Sequence, residues 1–387
     1  MIKRTLALTV AMLVTSQGVS AGEFHNGKQT AMGGVGVAGA DFRNGALLNP
    51  ALVGNYDAGD DFDFNFNVGA IASDADDLLE NAEDFVDAMD VLDGGINLSQ
   101  SDIDEVTALL AEMQGATVRL DLGGYLQASI PNKVVSATLF AGSSLQVGII
   151  TEINQADIDY LNSAVNNLTP INTDLLTSEI TAVGATVIEF GVSLARSFKI
   201  HGMDILFGVS PKIQQVETIE YAINVADFDE DDFDADDYVN DDSNFNLDLG
   251  AHTEFDRKWK VGVVLKNMLK KNYSTVSGRD LLIEPRLTIG GAYYNSWVVA
   301  ELDLDLNATE DLVSDDKLQL MRLGAEFNAF DWAQLRVGYK MDLKSSVEDT
   351  VSVGFGLSPF GVANVDFAAV FGGDNTLGAA LQLGFSF

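Results

Sequence analysis

The sequence lacks cysteine and has few of the residues that enzymes commonly use for catalysis. Without cysteine, no disulfide framework can hold the fold together. The chain has only three histidines, and it contains neither a GxSxG nor an HExxH motif. No nucleophile and base are arranged as hydrolases or zinc proteases require. We therefore predict that the protein is not an enzyme.

Basic residues are also scarce. The chain has 22 Lys and Arg against 58 Asp and Glu, which gives a formal net charge of −36. Such an acidic chain would repel the phosphates of nucleic acid. Nucleic acid is therefore excluded as a predicted partner.

Long apolar runs are missing except near the N-terminus. Lys3 and Arg4 precede a short apolar run, and Val19-Ser20-Ala21 has the small residues of a signal-peptidase site. Residues 1–21 thus read as a signal peptide, with a buried helix as the alternative. Further on, no stretch approaches the roughly 20 apolar residues of a membrane helix. A membrane crossing would therefore need strands closed into a barrel.

Alternating apolar and polar residues predict many strands. The clearest case is the last strand, in which Leu383, Phe385 and Phe387 share one face while Gln382 and Ser386 share the other. The predicted strands, about fourteen, are 60–73, 117–130, 134–153, 183–199, 203–223, 243–255, 259–268, 285–295, 297–307, 318–328, 332–343, 349–358, 361–371 and 376–387. A soluble β-sandwich would alternate as well.

The connections between these strands alternate between short turns and longer loops, as in outer-membrane barrels. We therefore predict an all-β membrane protein, a 14-stranded antiparallel transmembrane β-barrel over residues 58–387, in the outer membrane with both mature termini periplasmic. Longer insertions are expected at about 74–116, 154–182 and 224–242. Trp259, Trp297 and Trp332 each follow a short turn, where an aromatic girdle would lie.

Charged residues recur on the faces that would point into the barrel. Between strands 285–295 and 297–307, a turn at Asn295-Ser296 would place Arg286 opposite Asp305. The predicted lumen ion pairs involve Arg286, Glu301, Asp303, Asp305, Arg322, Glu326 and Arg336. An ion-pair ladder that fills a polar lumen is favoured over a substrate site.

Three segments in the long loops have helical periodicity. They are 74–92, 101–114 with Ser101 as the N-cap, and 155–168. Their apolar faces could pack on each other, bind a hydrophobic ligand or dock a protein partner.

The loop 224–242 is dense in carboxylates. No cofactor is expected elsewhere, but Asp229, Asp231, Asp232 and Asp234 supply oxygen ligands of the kind that Ca²⁺ takes. The spacing does not match an EF-hand, and a solvated acidic loop is the alternative.

The segment before the first strand is rich in glycine and reads AMGGVGVAGA, followed by Asn49-Pro50-Ala51. It could fold into the barrel as a plug over residues 22–57 or remain a periplasmic tail. These motifs resemble the FadL/TodX outer-membrane transport family, whose members have fourteen strands and an N-terminal hatch with an NPA motif. The helical loops resemble a subfamily described as conjugal transfer TraF-like.

The resemblance implies uptake of small hydrophobic molecules, such as long-chain fatty acids or hydrocarbons, that leave sideways at a kinked strand. Gly142-Ser143-Ser144 is a candidate kink, because glycine in a strand often marks one. A structural or assembly role through the helical loops is the alternative function. Expected partners are outer-membrane lipid, a small hydrophobic ligand, the barrel-assembly machinery during biogenesis and a protein that docks on the helical loops.

Overall fold

A computed structural model shows a closed antiparallel β-barrel whose wall contains 14 strands, as the alternation predicted. The wall closes where the first strand pairs with the last. The structure describes residues 26–57, 59–94, 99–166, 171–225, 238–314, 316–330, 332–358, 362–373 and 375–387. The predicted signal peptide and the four candidate Ca²⁺ ligands lie outside the described residues.

Each strand of the wall pairs with its neighbours around the barrel. In order around the wall they are β1 (Asp63–Asp74), β2 (Thr117–Ile130), β3 (Ser136–Glu152), β4 (Glu179–Ile200), β5 (Met203–Asn224), β6 (Val239–Phe255), β7 (Trp259–Lys266), β10 (Arg286–Tyr294), β11 (Val298–Asp305), β14 (Leu320–Phe330), β15 (Ala333–Asp342), β16 (Thr350–Leu357), β17 (Ala363–Gly372) and β18 (Leu377–Ser386).

The predicted faces of the strands are confirmed. On β1, the side chains of Asn65 and Asn67 are fully buried, whereas Phe64 and Phe66 are exposed on the outer face. An outer face of this kind suits lipid, and the inner face forms a polar lumen. Trp259, Trp297 and Trp332 are all exposed at or near the short turns, where an aromatic girdle was expected.

Two predicted loops contain small hairpins instead of irregular chain. One pairs β8 (Lys271–Ser274) with β9 (Asp280–Ile283), and the other pairs β12 (Thr309–Glu310) with β13 (Lys317–Leu318). The strands β4 and β6 also begin about four residues earlier than predicted. Both extensions pair with β5, so pairing partners override the weak local pattern there.

The predicted turn between β10 and β11 is wrong by one residue. Asn295 pairs with Val298, and its side-chain oxygen accepts hydrogen bonds from the backbone N–H groups of Trp297 and Val298. The turn is therefore Ser296-Trp297, and the register moves by two. Thr288, not Arg286, lies opposite Asp305.

Three helices form a cap beyond the long-loop end of the wall. They are α3 (Leu78–Gly94), α4 (Gln100–Met113) and α5 (Gln155–Asn166). Ser99 caps α4 in a capping box with Asp102, so the predicted cap at Ser101 is wrong. Among the described helices, none is long and apolar enough to cross a membrane.

The apolar faces of the cap helices pack on each other, as one of the alternatives foresaw. Their shared core contains Phe85, Ile103, Leu110 and Leu161, all buried. The same core includes Val118, Ile153 and Val225 at the ends of the neighbouring strands. The cap is thereby joined to the wall.

Candidate functional site

The N-terminal segment lies inside the barrel. Residues 26–57 contain α1 (Gly27–Thr30), α2 (Gly45–Leu48) and a 3-10 turn at Pro50–Gly54. The helix α1 contacts β16, β17 and β18, whereas the 3-10 turn contacts β4, β5 and β6. Since these strands lie on different sides of the wall, the segment spans the lumen. We call residues 26–57 the hatch segment.

Asn49, Pro50 and Ala51 form the start of the 3-10 turn. The Asn49 side chain accepts a hydrogen bond from Ala51 N and donates to Val37 O and Ala251 O, at 3.1, 2.8 and 3.3 Å. Proline at the first position of the turn needs no N–H partner. Asn49 therefore joins two parts of the hatch segment to β6.

Glycines on the inner face of the wall leave room for the hatch backbone. A Cβ added to Gly338 would lie 1.9 Å from Gly33 N, and one added to Gly208 would lie 2.2 Å from Ala51 N. The set, here named the glycine belt, is Gly208, Gly250, Gly262, Gly290, Gly324, Gly338 and Gly354. It covers every strand from β5 to β16 around the wall except β11.

The strand β11 contributes carboxylates in place of a glycine. Asp303 accepts hydrogen bonds from the N–H groups of Gly36 and Val37, at 2.8 and 3.0 Å. Glu301 accepts from Ala38 and Gly39, at 2.8 and 2.7 Å. These two predicted ion-pair residues instead bind hatch backbone.

Other predicted lumen ion pairs are present. Arg322 contacts Asp305 at 3.1 Å, and Arg336 contacts Glu326 at 2.7 Å and Asp366 at 2.6 Å. Two further ion-pair contacts were not predicted from the sequence. Lys212 lies 3.2 Å from Glu189 and 3.0 Å from Asp248. All three side chains lie on the inner faces of the neighbouring strands β4, β5 and β6, where the register makes them diagonal neighbours.

The small hairpins fold over the mouth of the lumen. Tyr273, Leu281 and Val313 pack against inner-face residues Val183 and Val187 of β4. We call residues 271–283 and 309–318 the lid.

A buried ion pair ties the lid to the wall. Arg119 of β2 makes a bidentate contact with Asp311, at 2.7 and 2.8 Å. Burial acts to raise the pKa of Asp311, but Arg119 and the N–H groups of Val313 and Ser314 outweigh it and hold this pKa below its usual value. Asp311 therefore stays charged and keeps the lid attached to β2.

Between the hatch segment and the lid, the lumen contains two small cavities of about 60 and 100 Å³. Lys266, Arg286 and Leu47 line both cavities. Lys266 also donates to Leu47 O at 2.8 Å. The cavities therefore combine cationic groups with apolar surface and carboxylates, which are Asp303 in the smaller cavity and Glu189, Glu284, Glu310 and Asp311 in the larger one.

A larger apolar hollow of about 630 Å³ lies on the outer face of the wall. Its floor includes Phe140, Gly191 and Pro211, from β3, β4 and β5. Its rim consists of exposed apolar side chains, Leu126, Leu139, Phe190, Ile213 and Phe245.

The wall is thin at this hollow. A Cβ on Gly191 would lie 2.6 Å from the tip of the Phe140 ring, so the ring fills the place of a side chain there. The strands β4 and β5 pair regularly up to Gly191 and again from Leu194. The pairing is interrupted in between, opposite Pro211. Proline cannot donate to a ladder, which accounts for the interruption.

The candidate kink at Gly142-Ser143-Ser144 directly follows Phe140 and Ala141 of β3, which line the hollow. All three residues keep continuous partners on both β2 and β4. A Cβ on Gly142 would lie 2.2 Å from the Tyr125 ring, whose hydroxyl lies 3.1 Å from Ser144 Oγ. The glycine thus provides space for an aromatic ring, and the kink stays a prediction.

Comparisons with known proteins agree with this architecture. The family model described as "F plasmid transfer operon, TraF, protein" matches residues 46–305. A search of curated proteins finds no match.

Among solved structures, the toluene transporter TodX of P. putida is similar, with 11% identity, a TM-score of 0.56, and coverage of 94% of this chain and 99% of that one. A Pseudomonas aeruginosa FadL homologue has 12% identity, a TM-score of 0.51, and coverage of 96% and 99%. These likenesses establish a shared β-barrel fold. The family model spans well over half of the sequence. The chain therefore belongs to the family described as F plasmid transfer operon, TraF, protein.

Proposed function

We propose that the protein is an outer-membrane channel for the uptake of small hydrophobic molecules that carry an anionic head group, such as long-chain fatty acids. The observation that carries the proposal is the placement of Lys266 and Arg286 in both luminal cavities, beside apolar Leu47. A cationic pair binds a carboxylate, and the adjoining apolar surface suits a hydrocarbon chain.

The exit that we propose is the outer hollow. Its floor at Gly191 is closed by the Phe140 ring and borders the interrupted β4–β5 ladder. A rotation of the Phe140 side chain would join the lumen to an apolar surface that faces lipid. A hydrophobic ligand could then enter the membrane without crossing water.

The entry that we propose is the lid. The two luminal cavities hold only a few atoms each, so the state described is closed. Ligand uptake would need release of the Arg119–Asp311 contact. With the lid and cap outside, the short turns and both mature termini face the periplasm, as in barrels of this class.

Binding of a radiolabelled or fluorescent long-chain fatty acid to the purified protein tests the proposal. Arg286→Gln combined with Lys266→Met should weaken binding at least about tenfold, since each loses a charge-assisted contact. Lys133→Gln is the matched control, because Lys133 is exposed in the short turn between β2 and β3 and lines neither cavity. Equal affinity in the double variant and the wild type would reject the head-group site.

A variant of the proposed exit tests the route separately. Phe140→Ala should leave binding intact but speed transfer of bound fatty acid into liposomes. Leu139→Ala on the rim should not, because Leu139 does not close the wall. Unchanged transfer in Phe140→Ala would exclude this exit.

The family match favours a second candidate, a structural or assembly role through the cap. The cap helices bury their apolar faces, so a partner would meet the exposed acidic side, including Glu80, Asp84 and Asp87. Reversing Asp84 and Asp87 to Lys should then abolish capture of the partner while the barrel stays folded. Capture that persists in this variant would argue against the role.

A further inference from the structure

The outer face of the wall carries a basic residue among apolar side chains. Arg196 is exposed on the outer face of β4, in phase with Leu194 and Phe198, which are 37% and 46% exposed. Within the described wall strands, the other charged residues in the outward phase are acidic and lie at the long-loop ends. They are Asp74, Glu217 and Asp241. Arg196 is thus the one cation in the outward phase of these strands.

Arg196 lies near the short-turn end of the wall. Ser136, the first residue of β3, pairs with Ala195, so the short turn between β2 and β3 ends beside Arg196. A lipid-facing arginine is costly in the middle of a bilayer but costs little near its interface. With the short turns on the periplasmic side, Arg196 lies at the level of the phospholipid head groups of the periplasmic leaflet.

Aromatic rings surround the Arg196 side chain on the outer face. Its guanidinium carbon lies over the Phe198 ring, 5.3 Å from the ring centre. Phe207 lies opposite Arg196 on β5, and its ring meets that of Phe198 edge-on, with the centres 6.0 Å apart. Among the described residues, Arg196 has no carboxylate partner. Its N–H donors are therefore oriented by the ring and open to an anion.

The outer hollow begins further along the same face of β4. Val192 lines the hollow and lies four residues from Arg196, with Leu194 between them in the outward phase. Four residues of a strand span about 13 Å. The hollow has a volume of about 630 Å³ and lies on the side of Arg196 that faces the membrane interior. An amphiphile with its head group at Arg196 would therefore direct a hydrocarbon chain into the hollow.

We propose that this surface binds a phospholipid of the periplasmic leaflet, with its phosphate on Arg196 and one acyl chain in the outer hollow. The planar guanidinium matches two phosphate oxygens. The chain covers the floor at Gly191 and Pro211, where the pairing of β4 with β5 is interrupted. A bound lipid thus seals the thin part of the wall. This site lies outside the barrel and does not depend on Lys266 and Arg286.

Native mass spectrometry of the full chain, titrated with lipid in detergent micelles, tests the proposal. One molecule of phosphatidylglycerol should bind at least about tenfold more tightly than diacylglycerol, which has the chains without the phosphate. Soluble glycerol phosphate, which has the phosphate without the chains, should not bind at the same concentration. Equal binding of the two lipids would overturn the proposal, and so would glycerol phosphate that binds as tightly as phosphatidylglycerol.

Two variants locate the site. Arg196→Gln should weaken binding of phosphatidylglycerol roughly tenfold and remove the preference over diacylglycerol. Ala141→Phe places a ring in the hollow that Ala141 lines, and it should weaken binding of both lipids about fivefold. Lys258→Gln is the matched control, because Lys258 is an exposed cation in the short turn between β6 and β7 and does not line the hollow.

Heat-modifiable migration on gels checks that each variant is a folded barrel. Wild-type affinity for phosphatidylglycerol in folded Arg196→Gln or Ala141→Phe overturns the proposal. An equal loss in Lys258→Gln would assign binding to the general charge of the rim and would also overturn it. Fatty-acid binding by the same samples should be unchanged in Arg196→Gln, so this site and the head-group site fail separately.

Discussion

The two sides of the hatch segment meet the wall in different ways. From β5 to β16 the glycine belt lets the backbones of wall and hatch approach closely, and Glu301 and Asp303 bind four hatch N–H groups. On the amide side, at β18, β1 and β2, side-chain hydrogen bonds from Gln382, Asn65 and Ser129 reach the hatch segment in addition to apolar packing, and several amides there are unpaired. Close packing fixes a position, whereas a polar seam allows exchange. The comparison teaches that the backbone of the hatch segment is held closely over most of the wall, whereas near β1 it is held mainly through side-chain hydrogen bonds.

The largest expected effect comes from filling the glycine belt. Gly338→Val places a side chain where Gly33 N now lies, 1.9 Å from the new Cβ. The hatch segment cannot stay there, and the clash should cost about 3 kcal/mol or more. Limited proteolysis should then cleave residues 26–57. Gly291→Val is the control, since nothing lies within 4 Å of its Cβ position; equal protection of both variants would break the comparison.

Removing a carboxylate from β11 should have the next largest effect. Asp303→Ala leaves the N–H groups of Gly36 and Val37 without an acceptor, at a cost of about 1–3 kcal/mol. Hydrogen exchange at these two amides should rise roughly tenfold or more. Glu112→Ala, on the exposed face of the cap, should change nothing in the hatch segment. Unchanged exchange in Asp303→Ala would contradict the role of β11.

A pair of serines sharpens the contrast. Ser352 accepts a hydrogen bond from Gly33 N at 2.9 Å on the belt side, and Ser129 donates to Phe42 O at 3.2 Å on the amide side. Each Ser→Ala change should cost about 1 kcal/mol or less. Exchange at Gly33 should rise in Ser352→Ala, whereas Ser129→Ala should leave the hatch amides protected. Faster exchange of the hatch amides in Ser129→Ala than in Ser352→Ala would show that the amide side holds the hatch segment.

The smallest effect is expected outside the lumen, in the cap, where a carboxylate also binds backbone. Burial acts to raise the pKa of Asp157, but hydrogen bonds from Ser178 and Thr177 outweigh it and hold this pKa below its usual value. Its contribution to stability is therefore present above the ordinary Asp pKa of about 4, and is lost as pH falls through the lowered pKa.

Protease protection of α5 should accordingly persist from neutral pH to about pH 4 and fall below it. Asp157→Asn should loosen α5 even at neutral pH. Asp159→Asn, on the exposed face of the same helix, should not. Loss of protection with the same pH profile in Asp157→Asn and the wild type would assign the effect to another group.

Much of the fold could be predicted because it depends on local alternation. The phase of Phe64 against Asn65 is a property of a short segment, whereas Asn49-Pro50-Ala51 indicated the hatch only through a family resemblance. The register at Asn295 could not be predicted, since an Asn side chain that caps a turn shifts it by one residue without changing the alternation. The lid hairpins were not predicted either, because their strands are short and their side chains pack against wall residues distant in sequence.

The function of individual lumen residues was harder to predict. Glu301 and Asp303 were correctly placed inward, but their partners are backbone groups more than 260 residues away. The contact between the belt glycines and the hatch segment could not be predicted, since glycine within a strand usually indicates a bulge or a weakened strand. The amides of β1 were read only as the polar face of a strand.

The glycine belt also has a consequence for the order of assembly. A wall surface without side chains is incomplete until the hatch backbone covers it, so the two surfaces form one folding unit. The hatch segment directly precedes β1, and β1 pairs with β18 at the seam of the barrel. The strand that the hatch segment leads into is thus the one that closes the wall, and the closed wall surrounds residues 26–57.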